Sequence, residues 1–338
     1  MKLPKKPTTY SVLRAHGVSR REFVSLCTRT AAGLGLGAAA VPQIVKALAT
    51  QPRLPVIWLH GLECTCCSES ILRSSTPLLQ DVILNMISLD YDDTLQAAAG
   101  FQAEEIRERI MRDYPGQYLL AVEGNAPTRD RGVYCTVGGR TFLDILLETA
   151  SQAKAVVAWG SCATNGCVQA ASPNPTGAQP VSALITGKPI VNVPGCPPIA
   201  EVMTGIIAYL ITYGTLPALD ALGRPKSYYG RTVHSQCQRR HNFEEGRFVT
   251  SWDDRGAKSG YCLFRMGCRG PVTRSACPSI KFNGGTSWPA GSGHPCIGCS
   301  EAGFWDNKPL YSMLDWSVVL PHEHPAVSPT TDCRRCHD

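Results

Sequence analysis

The chain has 338 residues and a formal charge of +6, with 31 glycines, 25 prolines and 16 cysteines. Its length allows two domains with cores of their own, but its charge gives no support for nucleic-acid binding. Residues 1–49 hold eight Lys/Arg and one acidic residue, a net +7, which leaves −1 (+6 minus +7) for the rest. Cysteines in this number leave disulfides, metal sites or both.

The basic residues Lys2, Lys5, Lys6 and Arg14 precede Ser19-Arg20-Arg21-Glu22-Phe23, a twin-arginine signature. An Ala/Gly-rich run from Ala31 to Val41 follows, then Ala47-Leu48-Ala49, an A-x-A processing pattern. The apolar run is shorter than the roughly 20 residues a membrane span needs, and Pro42 ends it. Residues 1–49 therefore read as a cleaved export signal that delivers an already folded protein to the periplasm. Such a route suits a protein that receives a cofactor before crossing. Cys27 is expected to leave with the signal. The destination is oxidising, so disulfides remain open.

From there strands and helices alternate. The pattern predicts strands at Val56–Leu59, Val82–Leu89, Tyr118–Val122, Ala155–Trp159 and Pro189–Val193. It predicts helices beginning at Ser68 and spanning Ala103–Arg112, Phe142–Gln152 and Ile199–Tyr213. This order implies an α/β fold, a flavodoxin-like doubly wound parallel sheet over residues 50–223. Ligands of such sheets bind beyond the carboxyl ends of the strands. There the first strand delivers Cys64-Thr65-Cys66-Cys67, the fourth Cys162 and Cys167, the fifth Cys196, and the third Glu123. Cysteines meant for disulfides have no reason to share one end of a sheet. The C-x-x-C pair Cys64 and Cys67 suits a metal centre, and the loops lack a phosphate cradle for flavin. The reading is one wall of an iron–sulfur cluster.

Past Tyr213 the alternation fades, and residues 224–316 read as a smaller, largely irregular domain ordered by bound metal. One set there is His234, Cys237, Cys262 and Cys268; the other is Cys277, Cys296 and Cys299. A His with three Cys can complete a four-iron cluster, and three Cys suit a three-iron cluster, with structural zinc open for each.

These residues together resemble the small subunit of [NiFe] hydrogenases, from the twin-arginine signature to about Trp316. The resemblance implies proximal cluster ligands at Cys64, Cys67, Cys162 and Cys196, and distal [4Fe-4S] ligands at His234, Cys237, Cys262 and Cys268. It implies medial [3Fe-4S] ligands at Cys277, Cys296 and Cys299, near Ser287-Trp288-Pro289 and Gly293-His294-Pro295. Most family members carry glycine at the positions of Cys66 and Cys167. Cysteine at both resembles the oxygen-tolerant uptake enzymes, whose six cysteines hold a [4Fe-3S] rather than a [4Fe-4S] proximal cluster. Glu123 matches an acidic residue that approaches one iron when that cluster is superoxidised. The chain would then carry electrons from H2 oxidation in a large-subunit partner to a cytochrome or quinone-linked acceptor. A heterodimer, or a dimer of heterodimers, is implied, with membrane association only through a partner. No second pair of C-x-x-C motifs is present to hold nickel and iron in this chain. Cys135 reads as a half-buried bystander.

The tail, residues 317–338, departs from the family. Instead of a long apolar segment it ends in Cys333-Arg334-Arg335-Cys336-His337, a C-x-x-C-H haem c motif. His337 is the natural axial ligand, with His322 or His324 as the second; a Cys333–Cys336 disulfide or a chance match is the alternative. Competing functions are a hydrogen sensor, an iron–sulfur subunit of another redox complex, and a secreted disulfide or zinc protein.

Overall fold

The computed structural model describes residues 6–33, 36–306 and 309–315. Five parallel strands form the central sheet: β1 (Leu54–His60), β2 (Ile87–Asp92), β3 (Leu119–Glu123), β4 (Ala155–Trp159) and β5 (Ile190–Val193). Their order is 2-1-3-4-5, the flavodoxin-like winding expected from the alternation. Each central strand is nearly all apolar because both faces of a parallel sheet are covered.

Alternate side chains go to opposite faces. Val56, Trp58, Val157, Trp159 and Val193 pack towards α4 (Cys66–Leu72) and the long helix Ala200–Tyr213. Ile57, Leu59, Leu120, Val122 and Ala158 pack towards α5 (Phe101–Asp113) and α6 (Phe142–Ser151). Gly214 in the left-handed region ends the long helix, as a C-terminal cap does.

One predicted strand is corrected. Asp81–Met86 is a π-helical turn, and β2 begins only at Ile87. Val82 and Met86 are buried four residues apart while Leu84 is exposed, which is helical spacing. A strand would have placed all three on one face.

Three N-terminal helices, α1 (Thr9–Ala15), α2 (Arg20–Gly33) and α3 (Val41–Thr50), pack on the face carrying Ala200–Tyr213. Lys6 Nζ reaches Asp90 Oδ1 at 2.6 Å. Beyond Lys226 the chain forms helical turns of three to five residues around two small apolar clusters. No described helix is long and apolar enough to cross a membrane. Trp316, Ser317–Leu320, His322, His324, Cys333, Cys336 and His337 lie outside the described residues.

Candidate metal centre

The register of the sheet gathers the first set of thiols. His60 pairs with Glu123, Glu123 with Trp159, and Trp159 with Val193, so four strands end level. The loops leaving those ends are then knitted together. Leu62 and Asn125 exchange backbone hydrogen bonds at 2.8 and 3.2 Å, and Ser161 N–H donates to Gly195 O at 2.8 Å. Thr65 sits in the left-handed region and turns the chain directly into α4, whose first two residues are Cys66 and Cys67. Cys67 is buried, whereas Cys64, Cys66 and Cys196 reach the surface. Gly160 makes this approach possible: a Cβ there would lie 2.4 Å from Cys67 Sγ, at a φ of +79°.

Cys167 lies between Cys162 and Cys196. Hydrogen bonding with the Cys167 thiol holds Cys162 below the ordinary thiol range and Cys196 at about 7, while Cys167 itself is raised. Burial pushes Cys64 up to about 12 and Cys67 well above its usual value. Under this layer Glu123 accepts from Cys67 N–H (2.9 Å), Ser68 N–H (3.1 Å) and the Ser68 hydroxyl (2.6 Å). Its carboxyl is raised, since burial outweighs those bonds.

The other two sets lie in sequence beyond this one. Cys277 and Cys299 line one small cavity beside Gly195 and Pro197, and Cys299 interacts with both Cys277 and Cys196. Ser161 Oγ donates to Cys299 O. Cys296 in turn interacts with Cys268. A second cavity is lined by His234, Cys237, Cys262 and Cys268 together. Arg239 stands over this last set, donating to Ala290 O at 2.7 Å and to Tyr261 O at 2.8 Å. The donors thus form a line from the sheet edge into the irregular region: Cys196, Cys299, Cys296, Cys268.

The donor set fits iron–sulfur clusters better than the alternatives. All fourteen described cysteines are free thiols. A single tetrahedral zinc needs its sulfurs about 3.8 Å apart. Among the described residues, no three cysteine or His234 ligand atoms gather within 4.8 Å. Wider spacing of this kind suits the corners of a multi-iron core. Cys135 is half-buried, and its thiol is raised by burial. A cavity of about 560 Å3 lies at the opposite end of the strands beside Lys6, Leu54, Leu119 and Ala155, away from the candidate ligands.

One group escaped the sequence reading. His60, at the end of β1, is 93% buried among carboxylates. Its Nε2 is 3.3 Å from Asp92 and 3.7 Å from Asp93, and its Nδ1 is 3.7 Å from Glu63 and 3.8 Å from Glu123. Burial opposes its charge, but hydrogen bonds and charges from Asp92, Glu63 and Asp93 win and raise it to about 10.

Relatives place this geometry. The chain is 59% identical over 307 residues to the uptake hydrogenase small subunit of Azotobacter vinelandii, covering 91% of this chain and 86% of that one. The chain belongs to the [NiFe] hydrogenase small-subunit family. The corresponding protein of Cupriavidus necator is 58% identical, over 91% and 85% of the two chains. The profile for the C-terminal part of the NiFe/NiFeSe hydrogenase small subunit matches residues 229–312. That of the NADH ubiquinone oxidoreductase 20 Kd subunit matches residues 64–210. Among solved structures, a [NiFeSe] hydrogenase of Dm. baculatum superposes with a TM-score of 0.72 at 32% identity. It covers 78% of this chain and 99% of its own. As a hydrogenase small subunit, the chain transfers electrons for a large-subunit partner.

Proposed function

We propose that this subunit holds three clusters in series and works in the periplasm as half of an oxygen-tolerant uptake hydrogenase. Residues 50–223 would form the sheet domain and 224–316 the irregular domain, after a twin-arginine signal at 1–49. Cys64, Cys66, Cys67, Cys162, Cys167 and Cys196 would hold the proximal [4Fe-3S] core, and Glu123 would approach one iron when that core is superoxidised. Cys277, Cys296 and Cys299 would hold a medial [3Fe-4S] core, and His234, Cys237, Cys262 and Cys268 a distal [4Fe-4S] core. Bound there, the clusters would pass single electrons from the large subunit to a cytochrome or quinone-linked acceptor. The observation that carries this reading is that Cys277 and Cys299 share a cavity with Gly195 and Pro197 beside Cys196, while Cys277, Cys296, Cys268 and Cys237 pack against one apolar cluster.

The residues around each set support these roles. Cys66 and Cys167 add two thiols to the four of an ordinary cubane site, and extra anionic sulfur favours oxidised iron. Glu123, fixed by Cys67 N–H and Ser68, places a carboxylate under the same loop. A neutral His234 imidazole adds no thiolate charge at the outermost set. The tail motif Cys333-x-x-Cys336-His337 would bind haem c as the electron exit.

Iron and acid-labile sulfide analysis of the purified heterodimer tests this reading. Both should be found in amounts matching three clusters; zinc without sulfide would contradict it. Haem staining of the exported chain on a denaturing gel tests the tail, and no signal at its mass would remove the haem from the account.

A further inference from the structure

The N-terminal segment carries a processing pattern that its own fold conceals. Ala47 and Leu48 lie inside α3 and are 3% and 1% exposed, whereas Ala49 is half-buried and Thr50, the last residue of the helix, is exposed. A protease needs its target extended and accessible, which a buried helical turn is not. The twin arginines have the opposite setting. Arg20 and Arg21 are the first two residues of α2, and both are exposed. Two cations there oppose the helix dipole, and a capping box offsets them. Glu22 Oε2 accepts from Ser19 N–H at 2.8 Å and from the Ser19 hydroxyl at 2.7 Å, while Glu22 N–H donates to Ser19 Oγ at 3.3 Å.

What holds both features in place is the body of the protein. Phe23, Leu26, Cys27, Ile44 and Leu48 are buried in the apolar cluster that includes Met203, Ile206 and Leu210 of the long helix. Lys6 adds its ion pair with Asp90, and Arg29 lies 3.9 Å from Asp81. The segment can seat this way only on a formed sheet, because Ile87 and Val191 belong to the same cluster.

We propose that the leader docks on the folded subunit as a cap that shows the arginine pair while holding its cleavage site helical, with Ala47 buried against the body. A folded chain is then recognisable for export but resistant to processing until α3 leaves the body. After undocking, a signal peptidase hydrolyses the Ala49–Thr50 bond, adding water to leave a carboxylate on Ala49 and an ammonium on Thr50. This rests on the export reading above.

The test uses the purified complex containing the uncleaved chain. Hydrogen exchange of the α3 amides should be at least about tenfold slower than in an isolated peptide of residues 1–50. A bacterial signal peptidase in detergent should cleave the wild-type chain more slowly than the Phe23→Asp and Ile44→Asp variants by a similar factor. Lys6→Ala, a milder change, should fall between them. Equal exchange in chain and peptide, or equal cleavage of wild type and variants, would overturn the proposal. Cell fractionation tests the export reading separately: cytoplasmic retention with α3 still protected would contradict export and leave the docking intact.

Discussion

Glu123 shows how much one side chain organises here. Its two oxygens accept three hydrogen bonds from Cys67 and Ser68, while it is 1% exposed. An amide cannot accept at both ends, so Glu123→Gln leaves at least one buried N–H facing another donor. We expect a loss of about 1–3 kcal/mol, read as a lower unfolding midpoint in denaturant. Gly160→Ala should be worse for the site than for the fold. Its Cβ would collide with Cys67 Sγ, so iron bound per chain should fall while far-UV circular dichroism stays unchanged. The candidate ligands were legible in the sequence because thiols have few other uses in such numbers. His60 was not, because its role depends on Asp92 and Glu123, which reach it only across neighbouring strands.

At the scale of elements, the sheet was legible because buried parallel strands are continuous apolar runs ending in glycine-rich loops. The turn at Asp81–Met86 misled because its run of apolar residues reads as a strand, whereas the buried pair, Val82 and Met86, follows helical spacing. The packing of the N-terminal helices was hidden for a different reason: a segment read as an export address is judged by its motif, not by the surface it lies on. Among the short helices, Arg255–Lys258 depends on its cap. Asp254 accepts from Thr250 N–H and hydroxyl, Ser251 N–H and Ala257 N–H. The Thr250 N–H bond leads the effects that hold its carboxyl at about 2, below the ordinary 3.8. A depressed acid stabilises the fold above its ordinary value, and that contribution is lost as pH falls from about 4 towards 2. Amide protection over Thr250–Lys258, taken relative to the intrinsic exchange rate at each pH, should therefore fall across that range, and Asp254→Ala should remove that change.

Across the whole molecule, the sheet edge and the irregular region join where Ser161 and Cys196 meet Cys299. Spacing groups the cysteines into candidate sets and the resemblance implies their series; the cavity that Cys299 shares with Cys277, Gly195 and Pro197 adds where the sheet edge meets the irregular region. Under the proposed reading this series is the electron path, and Cys66 and Cys167 at its inner end would set the type of hydrogenase. The most direct test is a redox titration of the purified heterodimer followed by EPR, alongside the Cys66→Gly/Cys167→Gly double variant. The account expects two one-electron transitions from the proximal site within a narrow potential range in the wild type, and one in the variant, with anaerobic H2 oxidation largely retained. A single proximal transition in the wild type would contradict it.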